Sequence, residues 1–190
     1  MEILHEIAML SVCTDSNKIV HLKDVFQNRH EIILVLECAP GGDFQSVLDD
    51  DVVPFEEDVQ GYLRQILEAL DFIHERNIAH LDIKPQNIVL MGPYPNCEIK
   101  LRDLELARVI KEDEDIREII GTPDYVAPEI LNWDPITLSA DIWSLGVLAY
   151  VLLTGFSPFG GDDDKETLRN ITTATLEFPL ELFEGVSDMA

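Results

Sequence analysis

Positive charge is what this chain has least of: 13 Lys and Arg stand against 37 Asp and Glu in 190 residues, a formal net charge of −24. Nucleic acid and anionic membrane surfaces are polyanions themselves, so that balance makes both poor partners. A basic peptide or a basic partner segment suits it better. Acidic runs such as Asp49-Asp50-Asp51 and Asp162-Asp163-Asp164 read as solvated loops. Cysteine is scarce too. Cys13, Cys38 and Cys97 are scattered and odd in number, which argues for reduced thiols in an intracellular compartment and against a disulfide framework or a metal cluster. No long hydrophobic run is present: the stretch 142–153 is too short to span a bilayer and reads as a buried helix. Met1-Glu2-Ile3-Leu4-His5-Glu6 holds no basic region followed by an apolar one, so no secretory signal is legible there. Hydroxyl side chains are missing throughout the segment between Leu104 and Gly121. What remains, 46% hydrophobic and 26% charged residues, is the composition of one globular domain with a sizeable core.

Periodicity places the elements. Ile3, Ile7 and Leu10 share a face, which predicts an amphipathic helix over 2–13. Residues 18–22 and 31–36 read as strands, joined through Val25-Phe26 and the polar Asn28-Arg29-His30. Pro40-Gly41-Gly42 is a break, followed by an acidic loop. Val59, Leu63, Ile66, Leu70 and Ile73 recur at helical spacing and predict a helix over 56–75. Residues 87–90 and 98–102 read as short strands around the turn Gly92-Pro93-Tyr94-Pro95-Asn96. Residues 103–129 show no period and predict a long functional loop. Residues 141–155 form a nearly all-apolar, hence buried, helix, and 165–174 a weaker one.

The polar motifs lie in order along the second of these stretches. His80-Leu81-Asp82-Ile83-Lys84-Pro85-Gln86-Asn87 reads H-x-D-x-K-x-x-N. Asp103 follows after the short hairpin, Ala127-Pro128-Glu129 closes the next segment, and Asp141-Ile142-Trp143-Ser144-Leu145-Gly146 opens the apolar helix. That order and spacing resemble the catalytic loop, metal-binding Asp and A-P-E of the protein kinases. Further stretches resemble the death-associated protein kinases, specifically their apoptosis-inducing related branch (DRAK): residues 2–7, 78–82, 117–123 and 155–159. The similarity covers nearly the whole chain. It implies an α+β, kinase-like fold, with a mostly helical large lobe over 38–190 and an incomplete small lobe over 1–37. It implies a cytoplasmic or nuclear serine/threonine kinase linked to cell death, using ATP and Mg²⁺ on protein substrates.

Phosphoryl transfer needs a group that orients and deprotonates the attacking hydroxyl, metal ions on the phosphates, and fixed positive charge on the transition state. By resemblance Asp82 takes the first role and Lys84 reaches the γ-phosphate. Asn87 and Asp103 carry oxygen donors of the kind Mg²⁺ prefers. Thr122, in Gly121-Thr122-Pro123, and Lys84 favour Ser/Thr over Tyr as acceptor. Glu6 matches the helix Glu that pairs with the ATP-contacting Lys. Leu36 matches the residue guarding the adenine pocket, Glu37-Cys38-Ala39 the hinge backbone, Val89 the adenine floor and Asp43 the acidic residue near the ribose and the basic peptide. His80 matches a structural position, stacked with Leu10, Leu22, Leu104 and Asp141. Leu81 stands where many kinases carry the Arg that receives an activation-loop phosphate; receptor and phosphosite are absent together. Gln86 and Val151 stand where strongly Arg-directed kinases such as protein kinase A hold Glu, so they do not strengthen the basic-substrate reading.

Four departures from the family pattern bear on activity. No glycine-rich loop or ATP-contacting Lys precedes Glu6. Glu105 replaces the Gly two residues after Asp103, which is expected to stiffen the backbone and to set a carboxylate beside the phosphates. Arg102 stands where the family prefers a small or apolar residue facing the nucleotide; a surface pairing with Glu98 or Glu105 is the plain alternative. The chain ends at Ala190, before the helices whose Arg pairs with Glu129 in the family. From these features the 190 residues alone are expected to be inactive or severely impaired and prone to aggregate. A non-catalytic kinase-like interaction module and an incomplete gene product stay open as rival readings.

Overall fold

A computed structural model describes residues 2–50 and 53–187; Asp51, which ends the first acidic run, lies outside them. The chain opens with helix α1 (Glu2–Val12), whose inner face buries Met9 and Leu10. Strands β1 (Leu22–Gln27) and β2 (Ile32–Leu36) form an antiparallel hairpin. Asn28 shapes its turn, its Oδ1 accepting the N–H groups of His30 and Glu31 at 2.8 and 3.0 Å. The first strand thus begins where the sequence pattern ends it, and Val25-Phe26 belong to the strand, not to the connection. The physical reason is a competing partner. Ile19 bridges Leu101 in parallel, Val20 N–H donates to Leu101 O, and Leu101 N–H donates to Lys18 O. Residues 18–20 therefore pair with the body of the molecule instead of with β2.

Pro40-Gly41-Gly42 turns the chain against that body. Gly41 N–H donates to Leu90 O at 3.0 Å and Leu90 N–H to Gly42 O at 2.9 Å. A Cβ at Gly41 would collide with the Gly92 carbonyl oxygen, so the close approach requires glycine. The expected acidic loop begins instead with a short helix, α2 (Phe44–Asp49), under a capping box in which Asp43 and Ser46 satisfy each other's backbone N–H. Six residues are too few to show a helical period, so only this cap could have signalled it.

Helix α3 (Glu56–His74) buries Val59, Tyr62, Ile66, Ala69, Leu70 and Ile73. Its acidic first turn and its closing His74 complement the helix dipole. Strands β4 (Ile88–Leu90) and β5 (Ile99–Leu101) pair antiparallel, with Val89 opposite Lys100. β3 (Ile78–Ala79) pairs antiparallel with β6 (Arg108–Val109), a strand inside the segment expected to be irregular. After α4 (Pro128–Leu131) comes α5 (Ser139–Thr154), apolar nearly all round and ended by left-handed Gly155. Helix α6 (Asp164–Thr173) is capped by Asp163, whose side chain accepts the Glu166 N–H.

The core follows from these faces. One cluster gathers Leu10, Ile66, Leu70, Leu90, Leu101 and Leu148, so α1, α3, the β4–β5 hairpin and α5 share it. A second, under α4 and α6, holds Leu81, Val126, Ile130, Val147 and Phe159. The mixed helix-and-strand content is that of the expected α+β class. None of the described helices is long and apolar enough to cross a membrane.

Candidate active site

The loop between β3 and β4 is hung from a buried carboxylate. Asp141, in the first turn of α5 and fully buried, accepts the N–H of His80 through Oδ2 and that of Leu81 through Oδ1, both at 2.8 Å. His74 Nε2, at the end of α3, lies 2.8 Å from the same Oδ2. Two core helices therefore set the position of a loop that has little regular structure of its own. Leu81 adopts a left-handed backbone with φ of 65°, a costly conformation for a γ-branched residue. The His80 ring is fully buried. Its Nδ1 accepts the Asp82 N–H at 3.3 Å, so Nε2 carries the proton and donates to Arg102 O at 3.2 Å. Both nitrogens are spent on positioning, in keeping with a structural role.

Asp82, only 5% exposed, is the hub. Oδ1 accepts the Thr122 hydroxyl at 2.6 Å. Oδ2 accepts Lys84 Nζ and Asn87 Nδ2, each at 2.8 Å. Asn87 Nδ2 also donates to the Asp82 carbonyl oxygen at 2.8 Å, and Lys84 Nζ donates to Thr122 Oγ1 at 2.8 Å. Four of the residues singled out in the sequence thus form one hydrogen-bonded cluster around one carboxylate. Thr122 arrives from the far end of the long loop because Gly121, with φ of 111°, lets the chain pass the Leu81 carbonyl; a Cβ there would lie 3.1 Å from that oxygen.

Asp103 is brought alongside by the hairpin. Arg102 N–H donates to Asn87 O at 3.0 Å, so the residue that follows stands next to Asn87. Asp103 has φ of 65°, and its Oδ1 accepts the Glu105 N–H at 3.2 Å. The left-handed residue is therefore Asp103. Glu105 is not among the positive-φ residues, so the expected loss of backbone freedom from Glu at that position does not arise. A carboxylate does gather there, however. Burial, and then the charges of Asp103 and Glu105, push the Glu6 carboxyl above its ordinary value, which sets all three acids within electrostatic reach.

The residues matched to nucleotide binding lie along the adjoining edge. Val89, 2% exposed, bridges Asp43 across the backbone. Leu36 ends β2 and is partly exposed. Glu37 N–H is spent on His21 O at 2.8 Å, and the Ala39 carbonyl receives the Gly42 N–H at 3.4 Å. The Glu37 side chain turns away and binds Lys100 Nζ at 2.7 Å. Burial alone would raise that carboxyl, but hydrogen bonds from Lys100 and from His21 N–H outweigh it and hold the group below its ordinary value. Lys100 in the middle of an apolar strand was a signal for such a partner, since lysine is almost never buried unpaired. Arg102 meets neither Glu98 nor Glu105. Its Nη2 lies 3.0 Å from Asp43 Oδ2, a pairing that no local spacing indicated.

As a cation site the arrangement offers two hard oxygens, the Asp103 carboxylate and the amide oxygen that Asn87 keeps after spending its NH₂ on Asp82. No group of three or more His, Cys, Asp or Glu able to hold a metal occurs among the described residues. Such a sparse all-oxygen set suits Mg²⁺, which keeps several waters and completes its shell from phosphates, and does not suit a structural zinc. Elsewhere the long loop is pinned by its own ion pairs, chiefly Arg108 Nη2 to Glu118 Oε2 at 2.8 Å.

Known proteins resemble the chain over nearly its whole length. The family profile of the protein kinase domain matches residues 1–188. The chain is 50% identical over 189 residues to a "Death-associated protein kinase related" protein of Drosophila melanogaster, covering 100% of this chain and 28% of that protein. It is 49% identical over 192 residues to "Serine/threonine-protein kinase 17A" of Oryctolagus cuniculus, covering 100% of this chain and 48% of the relative. "Death-associated protein kinase 2" of Mus musculus is 41% identical over 190 residues, with 100% of this chain and 51% of the relative covered. The chain thus spans about half the length, or less, of these curated relatives.

Proposed function

The chain belongs to the protein kinase domain family, and from that premise we propose that it carries the transfer site of a serine/threonine protein kinase of the death-associated type, DRAK branch. The reaction is ATP- and Mg²⁺-dependent phosphorylation of Ser or Thr in proteins, with basic segments favoured by the acidic surface. Residues 1–37 contribute to a small lobe and residues 38–190 to the large lobe. The cytoplasm or nucleus and a part in cell death follow from the same likeness.

One observation carries the reading: the carboxylate of Asp82 held by Thr122, Lys84 and Asn87 with Asp103 alongside. Asp82 can accept the proton of a substrate hydroxyl placed within hydrogen-bond reach, and its fixed contacts leave it little freedom to turn away. Lys84 holds positive charge at the carboxylate and next to where a transferred phosphate would pass. Thr122 ties the loop that follows Gly121 to the other oxygen of the same carboxylate. Asn87 and Asp103 would hold Mg²⁺, which supplies charge neutralisation on the phosphates. Leu36, Glu37, Ala39 and Val89 would meet the base, Asp43 the sugar, and Glu6 a cation on the phosphate side.

A second reading, a kinase-like interaction module without transfer, is favoured by the gathering of Glu6, Asp103 and Glu105, which opposes a polyphosphate. The two separate in the full-length protein. Phosphate transfer to a basic Ser-containing peptide and the thermal shift with Mg·ATP are measured for the parent and for Asp82→Asn. The proposed kinase loses roughly 10²–10⁴ of its rate in the variant and keeps its thermal shift. Transfer that survives Asp82→Asn undiminished sinks the assignment; a folded parent with neither thermal shift nor transfer selects the module.

A further inference from the structure

We propose that Arg102 selects the nucleotide by its phosphates, exchanging Asp43 for a phosphate oxygen when a nucleoside di- or triphosphate binds. The proposal rests on the nucleotide-binding reading above and deepens it.

The backbone of Arg102 is fixed within the site itself. Its N–H donates to Asn87 O at 3.0 Å and its carbonyl accepts His80 Nε2 at 3.2 Å. From there the side chain crosses to Asp43, which bridges Val89. The guanidinium thus lies along the edge that joins Val89 to Asn87 and Asp103. Its hold on Asp43 is a single Nη2···Oδ2 contact of 3.0 Å, with the Arg102 side chain 41% exposed. That is not the two-pronged pairing in which Arg is strongest, and a monodentate pair that water still reaches is readily exchanged. A guanidinium has five N–H donors in a fixed fork, so most of its capacity is uncommitted.

Charge decides where that capacity goes. Around Asp103 stand the carboxylates of Glu6 and Glu105. Lys84 is committed to Asp82 and Thr122, and Lys100, opposite Val89, to Glu37. A polyanion resting beside Asn87 and Asp103 therefore meets repulsion on one side, and Arg102 offsets it on the other. Release also leaves the fold intact. Asp43 caps α2 through Oδ1, which accepts Ser46 N–H at 3.0 Å and Ser46 Oγ at 2.9 Å, whereas Arg102 uses Oδ2. The cap survives the exchange, and the freed Oδ2 becomes an acceptor for a hydroxyl of the same ligand.

The test is calorimetric binding of ATP, ADP and adenosine, each with Mg²⁺, to the full-length protein and to its Arg102→Ala, Arg102→Gln and Arg102→Lys variants. Thermal melting checks that each variant folds. Loss of a charge-assisted contact should weaken ATP and ADP roughly tenfold to a hundredfold in Arg102→Ala and Arg102→Gln. Adenosine should bind as in the parent or more tightly, and Arg102→Lys should recover part of the loss. The parent's preference for ATP over adenosine should also shrink with added salt. An unchanged ATP-to-adenosine ratio in both neutral variants overturns the proposal while leaving the nucleotide site standing. Tighter ATP binding in those variants overturns it too, since Arg102 would then be an obstruction. A parent that binds none of the three ligands removes the nucleotide-binding reading and this inference together.

Discussion

Glu105 follows Asp103 by two positions, yet the left-handed backbone belongs to Asp103, so Glu105→Gly relieves no strain and acts through charge alone. Glu105 is exposed, and water screens it strongly. A like charge about 6 Å from a phosphate costs about 0.7 kcal/mol at the dielectric of water. Glu105→Gly in the full-length protein should therefore tighten Mg·ATP roughly threefold and let the Glu6 carboxyl fall toward its ordinary value, since Glu105 is one of the charges that raise it. Calorimetry and a pH titration of Glu6 by NMR read the two effects. If affinity and the Glu6 titration both stay put, the side chain has no electrostatic influence on the site. The same scale shows what residue types alone convey. The meeting of Asp82, Lys84, Asn87 and Thr122 was foreshadowed by motifs that stand in a recurrent order. The partner of Arg102 was not, because a long side chain reaches acids distant in the chain as easily as those beside it.

At the scale of elements, the loop at Asp82 owes its shape to segments outside it. Gly121 is the clearest case, since its positive φ and its approach to Leu81 O bring Thr122 onto Asp82. Gly121→Ala forces a side chain into a conformation costing about 1–3 kcal/mol and pushes the Leu81 carbonyl. Melting should fall by several degrees, at about 2–4 °C per kcal/mol for a chain of this size, and phosphate transfer should drop with it. A variant with the parent's melting temperature and rate would show that the turn tolerates a Cβ. The long helices α3 and α5 were readable because many turns repeat one face. Helix α2 and the pairing of β3 with β6 were not, being too short to show any period. The offset of β1 has a different cause: apolar alternation marks a segment as strand-like but does not name its partner.

For the molecule as a whole, one face remains apolar. Helix α5 and residues 174–187 line a groove of about 640 Å³, with Trp143, Tyr150, Phe178 and Phe183 among its walls. Leu180 is 86% exposed and Leu176 46%. Contiguous apolar surface of this kind promotes association. The 190-residue chain by itself should self-associate as its concentration rises, and Leu176→Ser with Leu180→Ser should shift it toward monomer in light scattering. A parent chain that stays monomeric throughout the concentration series contradicts this. The acidic balance works against association through mutual repulsion, so salt should promote it.

The sequence by itself determined the family resemblance and the scaffold's main members. A carboxylate, an ammonium, an amide and a second carboxylate stand in the order of the protein-kinase pattern, and long apolar periodicities can only be core helices. Tertiary structure decided the rest. It chose Asp43 over nearer acids for Arg102, tied Glu37 to Lys100 and hung the loop at Asp82 from buried Asp141. These are contacts between residues far apart in the chain, and they form only after core packing has brought separate elements together. Local propensity and spacing carry no term for them.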